Sequence, residues 1–282
     1  YGDHRDLHLS IRRQRQMCIR DRLWRTDGTE DGTYMVKDIY PGAASGYRSN
    51  LASRPIVFND NVYFQGRNDT TGHELWKSDG TAEGTVLVKD LSEGTGDSYF
   101  ESLTIFNDEL YFIRDSGSGH GDELWKTDGT QSGTVMVKDI VPGTSSGFCS
   151  NPLSSCQGGS RLYATENYLL FDVDSDGDGQ LELWKTDGTS GGTSLLKEIF
   201  LPGADQIYYH QVDEIIYFRA SQHGSYQDSE LWSTDGTPAG TVRVEDIWEG
   251  SSGSAPRDII DVDGTLSVSY THLRAHETRE DL

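Results

Sequence analysis

Four carboxylates crowd one short stretch of this 282-residue chain: Asp174, Asp176, Asp178 and Glu182, in Asp172-Val173-Asp174-Ser175-Asp176-Gly177-Asp178-Gly179-Gln180-Leu181-Glu182. Counted from Asp174 they occupy loop positions 1, 3, 5 and 9, with Gly179 at 6 for a sharp turn and the Gln180 carbonyl at 7. Hard oxygens at that spacing suit Ca²⁺, which takes about six to eight oxygen ligands at roughly 2.3–2.6 Å. Carboxylates this close repel one another unless a cation lies between them. The alternative is an acidic, solvated hairpin tip. A twelve-residue calcium loop beginning at Asp172 fits less well, because its last position is the apolar Leu183. One bound Ca²⁺ is the expectation.

Two cysteines, Cys149 and Cys156, stand seven positions apart, and Cys18 is the only other one. Outside a reducing cytosol the pair reads as a disulfide, the alternative being two unpaired thiols. The spacing is not that of a zinc knuckle. His73, His120, His210 and His223 show no zinc-binding pairing, although His73, His120 and His223 fall in the same loop of different repeats. There is no nucleophile elbow, phosphate loop or dinucleotide fingerprint. The residues therefore lead to the expectation that the chain is not an enzyme. Carboxylates drawn from different repeats could still form a glycosidase pair, and the abundance of acidic residues hides any such pair.

The elements that position these groups come from a strongly acidic chain. Lys and Arg number 24 and Asp and Glu 46, a net charge of -22, which argues against nucleic acid as a partner. No apolar run approaches the ~18 residues of a membrane-spanning helix. Residues 1–22 and 267–282 share nothing with the rest and read as translated sequencing-adapter read-through, so they are set aside. They hold 8 of the basic and 6 of the acidic residues, and the native chain is expected to continue beyond both. Residues 23–266 form the repeat domain.

Within it one pattern recurs five times, on Trp24, Trp76, Trp125, Trp184 and Trp232, at spacings of 52, 49, 59 and 48 residues. Each Trp is followed by Asp-Gly-Thr, the aspartates being Asp27, Asp79, Asp128, Asp187 and Asp235, and then by a Gly-Thr pair. A period near 50 is that of a propeller blade. Four strand signals fill one period: in the third, Leu103–Phe106, Leu110–Arg114, Glu123–Thr127 and Val135–Ile140, with Asn107-Asp108 and Asp128-Gly129 as hairpin turns. The fold expected is an all-β β-propeller of four-stranded antiparallel blades, about five in number. Four complete units fall at about 51–91, 101–140, 157–199 and 205–247. Residues 23–39 and roughly 257–266 are expected to combine as one composite fifth blade, the alternative being an open arc of half-blades with Trp24 partly exposed. A residue needed in every blade serves the blade, so the Trp are read as packing between blades and the Asp as Asx-turn acceptors. Sugar stacking by the Trp would require exposed indoles.

The motif Glu-Leu-Trp-x-x-Asp-Gly-Thr resembles that of the bacterial ELWxxDGT-repeat proteins, sometimes labelled hyalin-like, over residues 23–266. Glu198 and Glu245 depart from the usual Lys-Asp pair, the first copy has Arg22 in place of its Glu, and the family supplies no catalytic residues to carry over. The resemblance implies a secreted or surface-attached protein. The acidic loop likewise resembles the calcium loops in blades of integrin-α-type propellers. The function expected is a calcium-stabilised, monomeric binding or adhesion module for a protein or carbohydrate ligand. The alternatives are a carbohydrate-active enzyme, a glycosidase or lyase with its site at the central channel, and a purely structural surface repeat.

Overall fold

The computed structural model describes residues 22–41, 46, 54–115, 121–148, 161–201, 209–222, 228–250, 252–263 and 265–270. The chain divides into two compact units, 1–145 and 146–282. Among the described residues all regular structure is strand, and the fold is a β-propeller of antiparallel sheets.

The first unit opens with a hairpin of β1 (Leu23–Arg25) and β2 (Tyr34–Lys37). A four-stranded sheet follows, β3 (Ile56–Phe58), β4 (Asn61–Asn68), β5 (Gly72–Ser78) and β6 (Val86–Lys89). The next sheet is β7 (Tyr99–Phe106), β8 (Glu109–Asp115), β9 (Asp122–Thr127) and β10 (Val135–Lys138). The second unit begins with β11 (Leu162–Ala164), β12 (Leu169–Val173), β13 (Glu182–Thr186) and β14 (Ser194–Lys197). Its second sheet has five strands: β16 (His210–Val212), β17 (Ile215–Gln222), β18 (Ser229–Thr234), β19 (Val242–Arg243), and β15 (Ile199–Phe200) paired to the far end of β17. A hairpin of β20 (Arg257–Val262) and β21 (Thr265–Ser269) closes the described chain.

In each four-stranded sheet consecutive strands are neighbours, whereas β15 pairs out of order with β17. Asn59, Asp60, Asn107 and Asp108 adopt φ of 46–58°, the left-handed region that Asx residues tolerate and the favoured hairpin turns need. On the third strand the repeat Trp always faces a partner on the second: Phe64 with Trp76, Phe112 with Trp125, Phe171 with Trp184 and Phe218 with Trp232. Such aromatic cross-strand pairs stabilise a sheet beyond its backbone bonds. The third and fourth strands share a β-bulge at the Leu-Trp step, which leaves Val36, Val88, Val137 and Leu196 as extra residues. The bulge turns each of these side chains inward, and all four are buried. This local break in alternation is why the fourth strand reads as a continuous apolar run.

Within each unit cores form between successive sheets. Ile39, Phe64 and Trp76 pack with Leu23 and Leu87, and Tyr63, Leu75, Val88, Phe100 and Phe112 pack with Trp125. In the second unit Leu170, Leu183, Leu196, Ile216, Phe218 and Trp232 form the equivalent layer.

At the ends, β1–β2 and β20–β21 are each a two-stranded sheet. Trp24 is 47 % exposed, whereas Trp76, Trp184 and Trp232 are buried. β21 runs to Ser269, past the expected boundary at 266, and Arg22 pairs with Asp38 at 2.8 Å. Residues 1–21 and 271–282 lie outside the described residues.

Candidate metal centre

The acidic loop joins β12 to β13 and is tied down at its start by the Asp174 N–H, which donates to the Gly147 carbonyl at 2.7 Å. It then winds on its own carboxylates. Asp174 Oδ1 and Oδ2 accept from the N–H groups of Gly177 (2.8 Å) and Gly179 (3.0 Å). Asp176 Oδ1 accepts from Asp178 N–H at 3.1 Å, and Asp178 Oδ1 from Gln180 N–H at 2.8 Å. Gly177 and Gly179 have φ of 79° and 86°, so the reversal needs residues free of a Cβ penalty. Glu182 enters from β13, and its Oε2 accepts from both the N–H (2.8 Å) and the hydroxyl (2.9 Å) of Ser175.

The loop thereby brings one oxygen each of Asp174, Asp176, Asp178 and Glu182 within 4.8 Å of one another. Asp176 and Asp178 are exposed, Asp174 is half-buried and Glu182 is buried. Burial raises the Glu182 pKa above its ordinary value, the nearby Asp176 and Asp174 add to the rise, and the Ser175 hydrogen bonds oppose it. A cation among these oxygens would relieve both the burial and the repulsion. The donors are all hard oxygens, with three carboxylates joining a buried fourth, and this set fits Ca²⁺. Gln180, read as a carbonyl ligand, is 8 % exposed, and its side-chain Nε2 donates to Asp178 Oδ2 at 2.9 Å.

The repeated aspartates occupy a different kind of site. Oδ1 of Asp27, Asp79, Asp128, Asp187 and Asp235 accepts both the N–H (2.8–2.9 Å) and the hydroxyl (2.7 Å) of the Thr two residues on. A Cβ on Gly32, Gly84, Gly133, Gly192 or Gly240 would lie 1.9–2.1 Å from that same Oδ1, which is why Gly precedes the second Thr. Hydroxyl pairs such as Thr127 with Thr134, 2.7 Å apart, bridge the two strands. Lysines then bind blade to blade within each unit: Lys77 Nζ donates to the Gly129 carbonyl at 2.9 Å and Lys185 Nζ to that of Gly236 at 2.6 Å. Lys37 and Lys89 likewise reach the Thr85 and Thr134 carbonyls, at 2.7 and 2.6 Å.

Reading the sequence overlooked the Glu that opens the motif. Glu74 accepts from the N–H groups of Leu91 (3.1 Å) and Ser92 (3.0 Å), and Glu123 from those of Ile140 (2.9 Å) and Val141 (3.2 Å). Each buried carboxylate holds the chain as it leaves the fourth strand, and burial pushes both pKa values up to about 7. The recurrence of this Glu beside the Trp was the available signal. His73 Nδ1 lies 2.9 Å from Asp97 Oδ1. Cys149 and Cys156, with His120 and His223, lie outside the described residues.

No protein-family model and no curated protein matches the chain. Solved structures similar to it include an exo-beta-1,3-galactanase from Clostridium thermocellum (10 % identity, TM-score 0.35, 67 % of this chain and 46 % of that one). An alpha-L-arabinofuranosidase from the same organism matches at 15 % identity and TM-score 0.27, over 78 % of this chain and 81 % of that one. A Nidogen/Laminin complex matches at 12 % identity and TM-score 0.35, over 86 % and 77 %. The chain spans about half the length of the galactanase. The expectation that the chain is not an enzyme is corrected here: two of these neighbours, the galactanase and the arabinofuranosidase, are enzymes, so missing local motifs do not exclude catalysis. The likeness is one of fold, and fold alone assigns no activity.

Proposed function

We propose that this chain is a calcium-stabilised β-propeller module of a secreted or cell-surface repeat protein, and that its ligand is carbohydrate. The observation that carries the calcium reading is the gathering of Asp174, Asp176, Asp178 and Glu182 within 4.8 Å. Membership of the ELWxxDGT-repeat proteins, and with it the location, is supported by the five copies of the motif. The carbohydrate ligand comes from the names of the galactanase and the arabinofuranosidase alone, with no residue carried over. Hydrolysis is the second reading on the same ground, so the assay covers binding and cleavage together.

The test incubates the chain with a panel of glycans, with calcium and with a chelator, and scores both retention and release of reducing ends. The proposal expects at least one glycan to be retained or cleaved in calcium, and less so with chelator. A panel with neither retention nor cleavage overturns the carbohydrate reading. Equal results with and without calcium overturn the role of the metal.

A further inference from the structure

A second acidic group lies where β18 begins and β19 ends. One carboxylate oxygen each of Asp228, Glu230 and Asp246 falls within 4.8 Å of the others. Asp228 is 8 % exposed and Glu230 is fully buried. Arg243 reaches two of the three, Nη1 lying 3.3 Å from Asp228 Oδ2 and Nη2 lying 3.1 Å from Asp246 Oδ2. The other oxygen of each aspartate, Oδ1, is buried and accepts no hydrogen bond among the described residues. Glu230 accepts from the N–H groups of Ser254 (2.8 Å) and Trp248 (3.4 Å), and from the Ser254 hydroxyl.

Two of the three carboxylates thus share one guanidinium, which meets only their Oδ2 atoms, while Glu230 is held by Ser254 and Trp248. Leaving a buried acceptor without a donor costs about 1–3 kcal/mol, and more when the group is charged. Asp90, at the same repeat position as Asp246, has an Oδ1 in the same state, so Asp228 Oδ1, on a residue that the other blades lack, is the oxygen that calls for a ligand here. Arg243 is peculiar to this blade: the residue facing the repeat Trp is Leu87, Met136 or Leu195 in the other complete blades. It holds both aspartates by one oxygen and so fixes the remaining pair. We infer that Asp228, Glu230 and Asp246 form a second site for a divalent cation of the calcium class, with Asp228 Oδ1 and Asp246 Oδ1 among its ligands. All three donors are carboxylate oxygens, which selects a hard ion over zinc or copper. The Glu is the one repeated in every complete blade, recruited here by an added Asp228 and Arg243.

The inference does not depend on the loop at 174–182, and the test separates the two sites. Terbium, a luminescent stand-in for calcium, is titrated into the full chain and displaced with Ca²⁺, with Trp248 beside the second cluster as sensitiser. The unmodified chain should bind two equivalents, and a chain carrying Asp176→Asn and Asp178→Asn should bind one. Adding Asp246→Asn to that background should weaken the remaining equivalent by about tenfold or more. A background chain that binds no ion, or a residual equivalent indifferent to Asp246→Asn, overturns the second site. If the unmodified chain binds one equivalent and loses it only through Asp246→Asn, the second site stands and the loop at 174–182 fails. Asp228→Asn substitutes should Asp246→Asn lose its near-ultraviolet dichroism, with the same decision on the residual equivalent.

Discussion

Glu74 and Glu123 are fully buried acids whose pKa values stand at about 7 because burial outweighs the backbone donors around them. In the unfolded chain they titrate near their ordinary 4.5, so between there and about 7 the folded state holds more protons. Stability from these groups is therefore complete below the unfolded value and is lost as pH rises through the folded one. The exposed turn aspartates Asp27, Asp79, Asp128 and Asp235 act in the opposite sense. Their hydrogen bonds to Thr hold them below the ordinary 3.8, and the stability they confer is lost on acidification. The urea midpoint of the chelated protein is thus expected to peak near pH 4.5 and fall toward pH 7. Glu123→Gln should flatten the descending limb. A midpoint that climbs steadily from pH 4.5 to pH 7 would defeat this account of the buried acids. The same repetition that marked Trp and Asp in the sequence also marked Glu, yet nothing in residue type alone tells a buried staple from a surface charge. The distinction lies in a partner 17–18 residues away, which no local motif contains.

At the scale of the element, the Asp-Gly-Thr hairpin and its Gly-Thr pair form one interlocked unit. An added methyl at Gly133 would meet Asp128 Oδ1 at 2.1 Å, and the turn would have to open to accept it. Gly133→Ala is expected to cost about 1–3 kcal/mol in denaturant unfolding, the usual penalty of overpacking. Gly129 is constrained twice, by a φ of 90° and by Tyr63 Oη, which would lie 2.2 Å from a Cβ. Gly129→Ala should destabilise further, and pairing it with Tyr63→Phe should recover the steric part but not the backbone part. Equal stability of Gly133→Ala and the unmodified chain would remove the locking role of the turn aspartate. These hairpins were legible in the sequence because Asx and Gly preferences act within a few residues. β7 through β10 match the strands read there to within a few residues at each end. β15 was not legible: two residues, Ile199 and Phe200, leave one blade and pair with Gln222 and Ser221 of the next. That pairing is decided by tertiary packing.

On the scale of the whole chain, the fold follows from a period that repeats five times, the first copy being the two-stranded hairpin β1–β2. The hairpins β1–β2 and β20–β21 keep apolar residues in water, among them Trp24, Met35, Ile260 and Val262. The acidic loop was legible in the sequence. Its ligands lie within nine positions, so spacing alone brings the oxygens together.

Calcium should stabilise the whole chain through mass action, since only the folded loop gathers the four carboxylates. At a free concentration one hundred times the dissociation constant the gain is about 2.7 kcal/mol. The direct measurement is the thermal unfolding midpoint of the metal-free chain, with and without calcium, beside a chain carrying Asp174→Ala and Asp176→Ala. The account predicts that calcium raises the midpoint of the unmodified chain and raises that of the variant by distinctly less. An unmodified midpoint indifferent to calcium, or an equal rise in both chains, would contradict it.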